Sequence, residues 1–122
     1  MGALSIYGKE VGWDGELIRE VFAFKTLGLS MDQAVSVLQL PPPDFIKMDV
    51  DGIEHFILQG SPAVLSQVKG MLVEINDDFT EQAEQSKKAL EYAGLTLMEK
   101  RHSEMFEGTK FSNVYNHIWA RK

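Results

Sequence analysis

The stretch DFIKMDVDGIE, residues 44–54, decides the fold predicted for this chain. Its run from Phe45 to Val50 is too apolar for a strand with one face in water and is typical of a strand inside a parallel sheet. Three acids and a glycine follow, and the residues from Ile53 to Gln59 then suit a short helix that Gly60 ends. In open α/β sheets, binding residues collect where strands end and helices begin. We therefore expect the functional site at the end of this strand.

The residues after this stretch predict the element order β-α-β-α-β-β. Strands alternating with helical segments favour a parallel sheet, here with an antiparallel strand at the C-terminus. The further predicted elements are a helical turn opened by Ser61 and Pro62, a strand over 71–75, a helix begun by the capping pair Asp78 and Glu81 and ended by Gly94, and strands over 95–98 and 113–120.

The residues before Pro41 predict a smaller N-terminal part. Ser30 and Gln33 have capping-box spacing, and the apolar positions from Met31 onward predict an amphipathic helix over 31–40 that Pro41 ends. The apolar run at 21–24 predicts a strand or a buried extended segment. We expect one domain over 1–122, with an N-terminal cover at 1–40 and an α/β core at 44–122.

Composition narrows the classes of partner. Twelve basic and eighteen acidic residues give a net charge of −6, which disfavours binding to a nucleic-acid backbone. No apolar run approaches the ~20 residues that a membrane-spanning helix requires, so we expect no membrane partner. The N-terminus lacks the pattern of a secretory signal and the chain has no cysteine, so we expect a cytoplasmic location.

Acidic side chains end both predicted parallel strands. Asp49, Asp51 and Glu54 follow the first, and Glu74 and Asn76 lie at the end of the second. If the two strands are neighbours, these groups face one crevice. An interpretation as a turn and a helix cap alone is equally open, because an acid is favourable in the first turn of a helix.

Two further interpretations concern single residues of this region. Lys47 and Asp49 lie two apart on a strand, hence on one face, where they could pair. His55 follows the turn and could act as a base near neutral pH, or lie exposed on its helix. The Asp49-x-Asp51 pair offers oxygen ligands for Mg²⁺ or Ca²⁺, but the other ligands of an EF-hand loop are missing and no metal site is assigned.

Residues 44–54, followed by Leu58-Gln59-Gly60, resemble the D-F-I-K-[IM]-D-V-[ED]-G-x-E…L-x-G signature of FkbM-type S-adenosylmethionine-dependent methyltransferases. The resemblance spans about residues 21–121 and is specific at the signature. The other similar segments are 25–32, 72–75 and 116–121.

This resemblance implies the second half of a methyltransferase fold: a truncated Rossmann-like sheet with parallel central strands, an antiparallel C-terminal strand and helices on both faces. It implies S-adenosylmethionine as a possible cofactor and a small molecule as acceptor. With the residues themselves it gives as catalytic candidates Asp49, Asp51, Glu54 and His55, and as cofactor-binding candidates Asp49, Gly52, Glu74 and Asn76.

The family's glycine-rich cofactor turn has no counterpart in these residues. We therefore expect a truncated FkbM-like domain that acts as a binding or interaction module without methyl transfer of its own. One alternative is an active O-methyltransferase whose site is completed by an oligomer or a partner chain. The other is an acidic domain that binds a divalent metal.

The strand over 45–50 would have an unpaired edge in such a half sheet. An apolar edge without proline invites another strand. We expect residues 21–24 to cover part of it, and two chains to pair there as a homodimer that buries Phe22, Phe24 and Phe45.

Overall fold

A computed structural model of the chain describes residues 24–50, 52–102 and 107–122. Within them the elements follow the predicted order, with one additional short helix where a helical turn was expected. They are α1 (Met31–Leu38), β1 (Phe45–Met48), α2 (Glu54–Gln59), α3 (Pro62–Leu65), β2 (Gly70–Asn76), α4 (Thr80–Tyr92), β3 (Leu95–His102) and β4 (Val114–Arg121).

The four strands form one open sheet in the order β1-β2-β4-β3. β1 and β2 are parallel, with Met48 opposite Val73, while β4 runs antiparallel to both β2 and β3. This confirms the predicted parallel pair with an antiparallel C-terminal strand and fits a truncated Rossmann-like fold. The carboxyl ends of β1 and β2 therefore lie next to each other, and β1 lies at the edge of the sheet.

The hydrophobic core lies on one face of the sheet. On β2, Met71, Val73 and Ile75 are buried, whereas Leu72 and Glu74 alternate with them and are only half-buried. Leu58, Leu65 and Leu90 bring α2, α3 and α4 into the same core, which also contains Trp119 of β4. Helices were predicted on both faces of the sheet. The described helices pack on the face that carries this core.

Helix α1 begins with the predicted capping box. Ser30 Oγ accepts a hydrogen bond from the Gln33 amide at 3.1 Å, and the Gln33 side chain accepts one from the Ser30 amide at 3.0 Å. The helix ends at Leu38, two residues before the predicted boundary, because Gln39 adopts a left-handed conformation with φ 55°. Of the apolar residues predicted to face inward, Met31 packs against the core, whereas Leu38 is exposed.

Ser61 and Pro62 open α3 as predicted, although Ser61 makes no side-chain cap, and the predicted capping pair of α4 is wrong. The Ser61 hydroxyl donates to the Ile57 carbonyl of α2, and the carboxylate of Asp32 accepts from the first amides of α3 instead. Asp78 accepts from the side-chain amide of Asn113, and α4 begins at Thr80 without a side-chain cap. A residue distant in the sequence thus caps α3, and another distant residue binds the side chain that was expected to cap α4.

The N-terminal predictions fall mostly outside the described residues. The run at 21–24 is described only at Phe24, which is exposed and lies in no regular element. The division into a cover at 1–40 and a core at 44–122 therefore stays a prediction. No helix in the described ranges has the length and apolar character to span a bilayer.

Candidate functional site

Two carboxylates meet where β1 and β2 end. The register that places Met48 opposite Val73 places the next residues, Asp49 and Glu74, side by side on the other face of the sheet. When one of the two is protonated, their carboxyl groups can share a hydrogen bond. Lys47 Nζ lies 2.9 Å from Asp49 Oδ2, which confirms the predicted pair on one face. The crevice thus contains one ammonium group and two carboxyl groups.

The surroundings of Glu74 change its ionisation. Burial raises its pKa to about 7, and the charge of Asp49, the hydrogen bond to Asp49 and the charge of Glu54 act in the same direction. Lys47 acts in the opposite direction. Its own pKa is raised by its hydrogen bond and its attraction to Asp49. One proton can therefore be held or released by this pair near neutral pH.

The turn after β1 is built around Glu54. This carboxylate is buried, with 2% of the residue exposed, and accepts hydrogen bonds from the amides of Val50 and Gly52, both at 3.1 Å. Gly52 has φ 100°, a conformation that strains any residue with a Cβ. Burial raises the pKa of Glu54, and the hydrogen bonds that it accepts oppose the rise. The oxygens of Glu54 thus hold the turn and do not face the crevice.

Gln82 of α4 connects this turn to the end of β2, a role that was not predicted from the sequence. Its amide nitrogen donates to Glu54, and its amide oxygen accepts from the Asn76 backbone at 2.8 Å. The side chain of Asn76 in turn accepts from the Asp78 amide at 3.0 Å. Asn76 is therefore part of the support beneath the crevice. The spacing of Gln82, Ser86 and Leu90 at i, i+4 and i+8 was the available signal, since all three lie on one helix face.

His55 is fully buried, so the expectation of an exposed helix residue is wrong. Its ring packs on Phe56, with centroids 3.9 Å apart, and meets Phe79 edge-on at 5.8 Å. The face of α2 that carries His55 also carries Glu54 and packs against α4. His55 therefore supports the packing of α2 and is not presented to solvent as a base. Asp51, the remaining catalytic candidate, lies outside the described residues.

A second polar group lies on the core side of the sheet. Lys100 Nζ is 2.6 Å from Asp77 Oδ2, and His117 Nε2 is 3.9 Å from Asp77 Oδ1. Burial, helped by the charge of Lys100, lowers the pKa of His117 to about 4, and Asp77 opposes this effect. His117 is thus a packed, neutral residue.

The metal hypothesis receives no support from residues 24–50, 52–102 and 107–122, which contain no group of three or more histidine or acidic side chains placed to hold an ion. Lys47 already provides a positive charge 2.9 Å from Asp49 Oδ2.

Comparison with known families agrees with this geometry. The model of the methyltransferase FkbM domain matches residues 29–113, from just before α1 to just before β4. The chain belongs to this family. No curated protein and no solved structure is matched. The match includes the residues at the ends of β1 and β2 and those that hold the turn after β1. Membership of the family suggests dependence on S-adenosylmethionine in general.

The described residues fit one end of such a cofactor. S-adenosylmethionine is cationic at its sulfonium and amino groups, and the Asp49–Glu74 pair can carry the opposite charge. The pair lies at the carboxyl end of β1, where an open α/β sheet binds its ligand. The 122 residues contain no G-x-G-x-x-G turn of the kind that lets a backbone approach a nucleotide.

Proposed function

We propose that this FkbM domain supplies the acidic side of an S-adenosylmethionine-dependent O-methyl-transfer site. The observation that carries the proposal is the contact of Asp49 and Glu74 at the carboxyl ends of two parallel strands. These two residues would face the cationic methionine end of the cofactor, which supplies an electrophilic methyl group. Glu54 and Gln82 hold the two strand ends in register through the turn at Gly52.

The domain alone binds the cofactor weakly and does not complete the transfer. Methyl transfer requires the donor and the acceptor to be held in line, which contributes a large part of the rate. A nucleotide-binding segment that pairs along β1 would supply the missing positioning, because the ligand crevice of a doubly wound sheet opens beside that strand. Among the described strands, β1 pairs with β2 alone, so such a segment would pair on the other side of β1.

Ligand titration tests this proposal. We expect S-adenosylmethionine to shift amide NMR signals around Asp49 and Glu74 saturably, and Asp49→Asn to abolish the shifts. Asp44→Asn is the matched control, because Asp44 lies just before β1 and pairs with Lys69 at 2.8 Å. Absence of saturable shifts at millimolar ligand, or equal loss in both variants, would contradict the proposal.

A second candidate function is an interaction module, favoured by an exposed apolar surface. Nine large hydrophobic residues of the described part are exposed, and six of them lie within 24–45, around α1 and the start of β1. Exposed apolar residues in such a group are typical of a protein–protein contact. We propose that two copies pair through this surface and the edge of β1. The six are Phe24, Leu27, Val37, Leu38, Leu40 and Phe45.

Light scattering after size-exclusion chromatography tests the pairing. We expect a dimer at micromolar concentration that Phe45→Lys converts to monomer, because 72% of Phe45 is exposed at the edge strand. Tyr92→Lys, at a still more exposed aromatic position on α4, should leave the dimer intact. A monomeric unmodified chain would rule out the homodimer.

A further inference from the structure

Asp49 and Glu74 touch, yet their surroundings differ. Asp49 lies beside the ammonium group of Lys47, and 40% of its side chain is exposed. Glu74 is half-buried near the carboxyl end of β2, an inner strand of the sheet. When two carboxyl groups in one site have unlike environments, they take different roles in proton transfer.

The charged groups around Glu74 come from two neighbouring elements. β1 contributes Asp49 and Lys47, and α2 contributes Glu54, whose carboxylate points into the turn. On the other side, β4 places the uncharged Asn116 opposite Glu74. Burial and two like charges outweigh the single lysine, so the pKa of Glu74 rises to about 7. A group of this kind can accept a proton at neutral pH without holding it permanently.

We propose that Glu74 is the proton acceptor of the methyl-transfer site and that Asp49 is the anion facing the sulfonium. This inference rests on the proposed function. In the step, the acceptor oxygen forms a bond to the methyl group, the bond from that methyl to sulfur breaks, and the sulfur keeps the electron pair as a neutral thioether. The proton of the acceptor hydroxyl passes to the carboxylate of Glu74.

Charge balance explains why the acid pair suits this reaction. Sulfur loses one positive charge in the step, and the pair gains one with the proton. The total charge within the crevice is thus unchanged between substrate and product. The fixed dipoles of the buried turn at Glu54 need not reorganise, which is a favourable condition for catalysis.

The ionisation of Glu74 is measurable in the free chain by carboxyl ¹³C NMR. We expect the Glu74 carboxyl group to titrate with a midpoint at about pH 7. Asp49→Asn should lower the midpoint, because a like charge is removed, and Lys47→Gln should raise it. Asp44→Asn, at the opposite end of β1, should leave it unchanged. A midpoint at the ordinary glutamate value in the unmodified chain would overturn the role of Glu74.

Two ligands then separate this role from the proposed function. S-adenosylmethionine should lower the midpoint of Glu74, whereas S-adenosylhomocysteine, which keeps the amino group but has lost the sulfonium charge, should lower it clearly less. Binding of S-adenosylmethionine without a change in the midpoint would overturn the role of Glu74 alone. Failure of both ligands to bind would overturn the proposed function and the role together, whatever the titration of the free chain.

Discussion

At the scale of single residues, the buried carboxylate of Glu54 organises the site without facing it. It accepts from two backbone amides of the turn and from Gln82, which reaches it from α4 across 28 positions of sequence. A buried carboxylate is costly unless its oxygens are fully used. The turn after β1 therefore depends on α4, and the position of Asp49 depends on that turn.

Removal of this carboxylate should destabilise the fold. Glu54→Ala leaves buried donors of the turn and of Gln82 without an acceptor, so we expect a loss of roughly 2–4 kcal/mol in the free energy of unfolding. Glu54→Gln keeps one acceptor oxygen and should lose about half as much. Urea denaturation gives both values. Glu84→Gln on the exposed face of α4 is the control, and a loss from Glu54→Ala no greater than the control's would show that Glu54 does not hold the turn.

At the scale of elements, helix α3 is capped by another helix. Asp32 of α1 accepts from the amides of Ala63 and Val64 at 2.9 and 2.8 Å. The four-residue α3 begins at Pro62 and has no side-chain cap from Ser61. A carboxylate at a helix N-terminus also meets the favourable end of the helix dipole. The contact joins the segment before Pro41 to the α/β core.

We predict that Asp32→Ala lowers stability by about 1–2 kcal/mol, the usual value of an N-cap. Asp44→Ala, which breaks the exposed pair with Lys69, should cost less than about 0.5 kcal/mol. Thermal unfolding of both variants provides the comparison. Similar melting temperatures for the two would mean that the Asp32 contact contributes no more than a surface pair.

Local patterns predicted the strands well and the contacts between elements poorly. The apolar run from Phe45 and the acids after it are adjacent in sequence, so the sheet edge and the Lys47–Asp49 pair followed from composition and spacing. The cap from Asp32, the bond from Gln82 and the burial of His55 arise from partners on other helices. No periodicity within one element contains that information.

At the scale of the whole molecule, the two faces of the sheet differ in how they are covered. The described helices cover one face, and the face that carries Leu72 and Glu74 is half-buried. β1 lies at one edge and begins at the exposed Phe45. The acid pair lies at the end of that same edge strand. A second chain paired along β1 would therefore lie beside the proposed site.

The central claim is that Asp49 and Glu74 touch at the ends of two parallel strands, and stability as a function of pH tests it. The pKa of Glu74 is about 7, above its ordinary value of 4.5, so folding binds a proton between these values and stability falls as pH rises through this window. Glu74→Gln should therefore stabilise the chain above pH 7 and have little effect below pH 4.5.

A double-mutant cycle gives the most direct measurement. At about pH 8, we expect Glu74→Gln to raise the melting temperature by roughly 2–5 °C in the unmodified chain. In the Asp49→Asn background the gain should be clearly smaller, since the like charge is gone and the new amide can donate to Glu74. An equal gain in both backgrounds would show that the two carboxylates are independent and would contradict the account of the site.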